Sequence, residues 1–109
     1  KSYCNIYKII LRKKYEKFLI KREIPGVSKT PSNDLDKGAK ESEKALIEMR
    51  EEGKEIQQEQ SYVLNDAIYC IYNATSEDLI KEHAERSGGV ASEIIEISGI
   101  IKHNTSTIS

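Results

Sequence analysis

IQQEQSYVLNDAIYCIYNA, residues 56 to 74, decides the fold. Two strand-like runs, Ile56 to Leu64 and Ala67 to Ala74, flank Asn65-Asp66, a pair that tolerates the positive backbone angles of a two-residue hairpin turn. The passage therefore predicts a β-hairpin. Its first run is unusually polar and suits an edge position or one face turned to water. Its second, AIYCIYNA, is rich in β-branched and aromatic residues and suits the centre of a sheet.

Upstream, Lys17 to Ile24 (KFLIKREI) reads as a strand with Phe18, Ile20 and Ile24 on one face and Pro25-Gly26 as its closing turn. A polar loop, Val27 to Asn33, leads to a helix over Asp34 to Glu52, in which Leu35, Ala39, Ser42, Leu46 and Met49 share one face. Ser32 or Asn33 is placed to cap it and Gly53 to stop it. Asp36 with Lys40 and Lys44 with Glu48 have ion-pair spacing on its outer face, worth a few tenths of a kcal/mol each. Downstream of the hairpin, Thr75 and Asp78 have capping-box spacing and open a helix that ends at Gly88-Gly89, with Leu79, Ile80, His83, Ala84 and Ser87 inward. Glu93 to Lys102 (EIIEISGIIK) predicts a last strand, with Ile95, Ile97 and Ile101 on one side and Glu96 and Ser98 on the other. The order strand, helix, strand, strand, helix, strand is that of an α+β, ferredoxin-like βαββαβ plait: a four-stranded antiparallel sheet with both helices on one face. The other face stays open and carries apolar residues, so a homodimer paired through that face is expected.

At 109 residues and 12.4 kDa the chain is one domain long, with 38% hydrophobic and 32% charged residues. The fold is expected to occupy residues 15 to 103, between a basic extension at 1 to 14 and a flexible tail at 104 to 109. The head run Ile9-Ile10-Leu11 is far short of the roughly 20 apolar residues of a membrane span and of a signal-peptide core. No membrane partner and a cytoplasmic location are therefore expected. Residues 1 to 22 hold eight Lys/Arg against one acidic residue, whereas the rest hold nine against seventeen. The acidic body would repel phosphates, so nucleic acid is not an expected partner. The chain opens on Lys rather than Met, which reads as an appended head. Two cysteines, Cys4 and Cys70, do not make a disulfide framework.

The chain contains no GxGxxG, GxxxxGK[ST], HExxH, CxxC or GxSxG motif, so nucleotide, zinc-protease, dithiol and hydrolase chemistry lack support. The candidates are single groups. His83, on the face of its helix that looks to the sheet, is either a metal ligand or general base, or a core residue with both nitrogens hydrogen-bonded. His103 falls at the start of the tail. Cys70 is either a small buried hydrophobe or a soft ligand. Tyr62, Tyr69 and Tyr72 either pack or line a pocket, and Arg22 and Glu23 stand at the end of the first strand.

KFLIKREIPG at 17 to 26, SYV at 61 to 63, YCIYNA at 69 to 74 and LIKEHAERSGGVASEIIEI at 79 to 97, taken in order, resemble a family of small ferredoxin-like proteins described as nickel-binding or as a domain of unknown function. The resemblance spans residues 17 to 102 and implies a dimeric, cytoplasmic, bacterial domain with a divalent metal site. Its motif positions here are Arg22, Glu23, Tyr62, Cys70, Tyr72 and His83. Where members commonly place a proline after the second-helix glycine, this chain reads Gly88-Gly89-Val90-Ala91.

The reading is therefore a homodimeric domain that binds a divalent transition metal without established catalysis. His83, Glu23 and Cys70 are the candidate ligands, and Arg22, Tyr62 and Tyr72 the surrounding pocket. Nickel comes first, on the resemblance; imidazole suits zinc and copper as well. The alternative is a dimeric α+β barrel-type enzyme that takes a small organic substrate and uses His83 as acid and base.

Overall fold

A computed structural model describes residues 15 to 105. Strand β1 (Glu16–Glu23) is followed by a short 3-10 turn (Val27–Lys29) and helix α1 (Ser32–Glu51). Strands β2 (Ile56–Val63) and β3 (Ala67–Ala74), helix α2 (Glu77–Ser87) and strand β4 (Glu93–Ile97) complete the order. The sheet runs β2-β3-β1-β4 with every pair antiparallel, so this is the α+β ferredoxin-like plait expected from the sequence. No helix among the described residues is long and apolar enough to cross a membrane.

The alternation of β1 sorts the sheet into two faces. Phe18 and Ile20 pair with Tyr72 and Cys70 of β3 and look toward the helices, where Leu46 and Met49 of α1 and Ile80 of α2 close the core over them. Lys17, Leu19 and Lys21 look the other way. On β4, Ile94 pairs with Ile20 and packs on the core, whereas Ile95 pairs with Leu19 on the open face.

Several local expectations give way to tertiary packing. β4 stops at Ile97 rather than Lys102, with Ile97 opposite Lys17 near the start of β1. Ile101 is accordingly 83% exposed. Ile24 leaves the strand and does not join Phe18 and Ile20; its N–H donates to the Asp66 carbonyl instead. Helix α1 starts at Ser32 with Pro31 ahead of it, so Ser32 and Asn33 lie in its first turn and do not cap it. Ala39 is exposed while Ala45, Leu46 and Met49 are buried, because only the C-terminal half of α1 reaches the sheet. Ser76, not Thr75, precedes α2, and no side chain caps it.

The hairpin forms with Leu64 N–H donating to the Ala67 carbonyl, but among the described residues no non-glycine residue has a positive φ. The turn is held instead by the β1–α1 loop. Ile24 and Ser28 N–H groups donate to the Asp66 and Asn65 carbonyls, and Gly26 N–H donates to the Asp66 carboxylate at 2.8 Å. In β2 the register slips between Gln58 and Gln60, a bulge at Glu59 that lets the carboxylate meet Lys17 across the open face.

The ion pairs also form elsewhere than between Asp36 and Lys40 or Lys44 and Glu48. Arg86 of α2 grips Glu52, just past α1, through both terminal nitrogens at 2.7 and 2.6 Å and also meets Glu82 at 2.6 Å. Lys54 bridges Glu82 and Glu52. These bonds tie the two helices together at one end. Hydrogen bonds from Arg86 and then Lys54 hold the Glu52 carboxyl down at about 2. A depressed folded-state value means that this stabilisation is complete above the ordinary carboxylate range and is lost as the pH falls toward about 2. Thermal melts between pH 5 and 2 are therefore expected to show a decline that Glu52→Gln reduces, and that high salt weakens because all four side chains reach water.

Candidate functional site

The interlayer between sheet and helices contains a continuous run of polar side chains inside an apolar shell. β1 alternation turns Arg22 inward after Phe18 and Ile20, and the period of α2 sets His83 on the sheet-facing side beside Ile80 and Ala84. From β3, Tyr72 and Cys70 enter the same layer.

The proton positions follow from the partners. His83 Nε2 lies 3.1 Å from the Ser42 carbonyl oxygen, which can only accept, so Nε2 carries the ring proton and donates it. Ser42 Oγ lies 3.2 Å from the same nitrogen. His83 Nδ1, left as an acceptor, takes the Tyr72 hydroxyl proton over 3.2 Å. The Tyr72 oxygen accepts in turn from Arg22 Nη2 at 2.7 Å, while Arg22 Nη1 donates to the Val90 carbonyl at 3.0 Å. A second branch runs on from α1. Ser42 Oγ donates to Gln58 Oε1 at 2.9 Å, Gln58 Nε2 to Ser61 Oγ at 3.0 Å, and Ser61 Oγ to Cys70 Sγ at 3.1 Å. Each branch passes its hydrogen bonds in one direction, and no buried side-chain polar atom among the described residues lacks a partner.

The electrostatics match this bonding. Burial and the nearby Arg22 charge lower the His83 pKa against the opposing Ser42 hydrogen bond, so the imidazole is neutral at pH 7. Burial raises that of Tyr72 and keeps its proton in place. Burial works against the Arg22 charge, but the Tyr72 oxygen and the Cys70 sulfur more than offset it. The guanidinium is thus held by a phenol oxygen and a backbone carbonyl, with a sulfur nearby. Gly89 is what lets the guanidinium reach Val90, since a Cβ there would come within 2.5 Å of Arg22 Nη1.

The structure brings together Arg22, Tyr72, His83 and Cys70 and leaves two sequence candidates outside. Glu23 sits on the opposite face, exposed, with its carboxylate on Lys21 at 3.2 Å and its N–H on Ser92 Oγ. Tyr62 is 52% exposed opposite Tyr69 on the open face and bonds Gln60. His103 is exposed in the tail, and Cys4 falls outside the described residues. Sequence reasoning missed the linking roles of Ser42, Gln58 and Ser61. A serine on the apolar stripe of α1 is the available signal, whereas the bulge at Glu59 hides the inward position of Ser61 from a period-two reading.

A metal does not fit the buried group as it stands. Both His83 nitrogens are engaged, Arg22 is a cation beside them, and no three His, Cys, Asp or Glu residues gather as a ligand set among the described residues. Nor does an open cleft serve acid-base catalysis: His83 is 0% exposed. Of the two concavities, one of about 370 Å³ beside Tyr15, Lys17 and Glu96 is lined by other residues, and one of about 290 Å³ between α1 and β2 touches the polar run only through Gln58.

Tyr72→Phe, which orphans His83 Nδ1 and one Arg22 donor, is expected to cost about 1 to 3 kcal/mol in urea unfolding. Gly89→Ala is expected to expel Arg22 from Val90, seen as loss of protection of the α2–β4 loop in hydrogen exchange. Because the His83 pKa is lowered on folding, stability is full above the ordinary histidine value near 6.5 and declines as the pH falls below it. His83→Gln is expected to flatten that decline between pH 7.5 and 5 in urea midpoints.

The crystal structure of SCO4226 from Streptomyces coelicolor A3(2) superposes with a TM-score of 0.64 at 20% identity, covering 78% of this chain and 99% of that one, and so shares the plait. No curated protein matches the chain in sequence. The family described as "Nickel responsive protein SCO4226-like" matches residues 18 to 97, from the first buried residue of β1 to the last residue of β4, and so takes in all the interlayer polar groups. On that match, which spans every strand and both helices, the chain belongs to the SCO4226-like family of nickel responsive proteins.

Proposed function

We propose that the protein works as a homodimer that takes up a divalent transition ion, nickel before zinc or copper, and binds it without catalysing a reaction. The observation that carries the reading is the open sheet face. Leu19 lies between Ile71 and Ile95, and Tyr69, Tyr62 and Ile97 extend the apolar strip on either side. Its nearest charges are already matched within the protomer, Lys17 with Glu59 and Lys21 with Glu23, so a second copy closing over the strip meets few uncompensated groups. An isologous pairing of this kind buries the same residues on both sides.

Membership of a nickel-responsive family supports the metal half of the reading. The buried polar run does not fit a dication, so the donors are assigned to the dimer. Glu23 lies on the open face, where its carboxylate exchanges Lys21 for the ion, and a twofold brings a second Glu23 to the same interface. Carboxylate and water then supply most of the coordination shell, an oxygen set that does not itself select nickel, so the preference for nickel rests on the family.

Native mass spectrometry of the full chain, titrated with nickel, zinc and copper, tests both halves. A dimer that retains nickel is expected, with Leu19→Glu giving a monomer and Glu23→Gln losing the metal while remaining dimeric. A wild-type monomer would remove the dimer, and undiminished nickel in Glu23→Gln would remove the shared site.

A further inference from the structure

We infer that His83 is closed to metal ions and serves as a positioning residue, the hydrogen-bonded hub through which α1, α2, β3, β1 and the α2–β4 loop are held in one arrangement. The inference goes beyond the metal reading above, because it concerns the imidazole that the sequence singles out as the first ligand candidate and assigns it a different task.

Proton bookkeeping carries the argument. A metal ion can bind imidazole only at a nitrogen without a proton. Nε2 carries its proton because it faces the Ser42 carbonyl. Moving that proton to Nδ1 would leave two faults, a bare Nε2 lone pair turned on the lone pairs of the Ser42 carbonyl and two protons between Nδ1 and the Tyr72 oxygen. Nδ1 does have a lone pair, but the Tyr72 hydroxyl proton occupies it. Releasing Nδ1 requires Tyr72 to turn its proton elsewhere. Arg22 offers only donors, and turning the proton to the nearby Ser42 Oγ would break the Tyr72–His83 bond while leaving Nδ1 buried out of reach of a hydrated ion.

Charge argues the same way. A dication at Nδ1 would take the space beside the Tyr72 oxygen, and that oxygen is 2.7 Å from the Arg22 guanidinium. No carboxylate lies among the hub's hydrogen-bond partners to neutralise either charge. Cys70, the other candidate in this layer, accepts from Ser61 and is flanked by Arg22. Each of these groups suits a neutral imidazole between a hydroxyl and a carbonyl. Through that imidazole the Tyr72 lone pair is aimed at Arg22, and Arg22 is thereby held on the Val90 carbonyl that closes the α2–β4 loop.

The test uses the full chain labelled with ¹⁵N histidine, zinc as a diamagnetic probe, and nickel calorimetry. The His83 ring is expected to show the pattern of a neutral imidazole protonated at Nε2. Its two nitrogen resonances are expected to stay in place with zinc in excess, even if other signals move. The nickel Kd of folded His83→Gln is expected to lie within about twofold of wild type. A zinc-dependent shift of either His83 nitrogen would overturn the inference on the wild-type protein alone, whatever becomes of the variant. So would nickel affinity lowered roughly tenfold or more in a His83→Gln protein that remains folded. Failure of the shared Glu23 site, read from Glu23→Gln, leaves these two observables untouched.

Discussion

The Tyr72 hydroxyl, between a guanidinium that can only donate and an imidazole nitrogen that can only accept, is the contact on which the interlayer depends. A phenol is suited to that position because it passes a hydrogen bond through, accepting on one side and donating on the other. It also brings an aromatic ring large enough to join the core, tilted at 56° to the His83 ring with centroids 5.4 Å apart. One side chain therefore closes the apolar packing and directs the polar run. The groups around it inherit their orientation: the imidazole tautomer from Tyr72 and the Ser42 carbonyl, the Arg22 rotamer from Tyr72 and Val90.

Burying such a run is costly unless all of it is satisfied, because each polar group left unpaired in a low-dielectric layer loses its water without replacement. This layer meets that condition with one unusual member. Arg22 is a half-buried cation whose compensation comes from oxygen and sulfur dipoles. Nearby positive charge and neutral imidazole belong together, since a protonated His83 would repel the guanidinium. The same combination makes the layer inhospitable to a divalent cation.

Much of the architecture is legible in periodicity, because hairpin, helix faces and strand order are local patterns that the sheet then uses unchanged. Phe18, Ile20, Leu46, Met49 and Ile80 fall where alternation and the helical period put them. The misreadings have tertiary causes. Asn65-Asp66 suggests positive φ angles, but bonds from the β1–α1 loop hold the turn in ordinary conformations. Ile100 and Ile101 suggest that the last strand continues to Lys102, yet its pairing with β1 ends at Ile97, opposite Lys17. The site is half legible. His83 faces the sheet as its helical spacing suggests, and Tyr72, Arg22 and Cys70, whose sides the sequence leaves open, join it in the layer, whereas Glu23, adjacent to Arg22, falls on the opposite face because neighbouring strand residues must.

The bulge at Glu59 reaches beyond its own strand. A sheet of four strands exposes two borders that could recruit further strands without limit. Here β2 is kinked out of register and carries a paired carboxylate at the kink, while β4 offers only five residues. Neither border is a good template for an incoming chain. Pairing along the sheet's rims is thereby opposed, and growth into fibres is hindered by the same residue that pairs with Lys17.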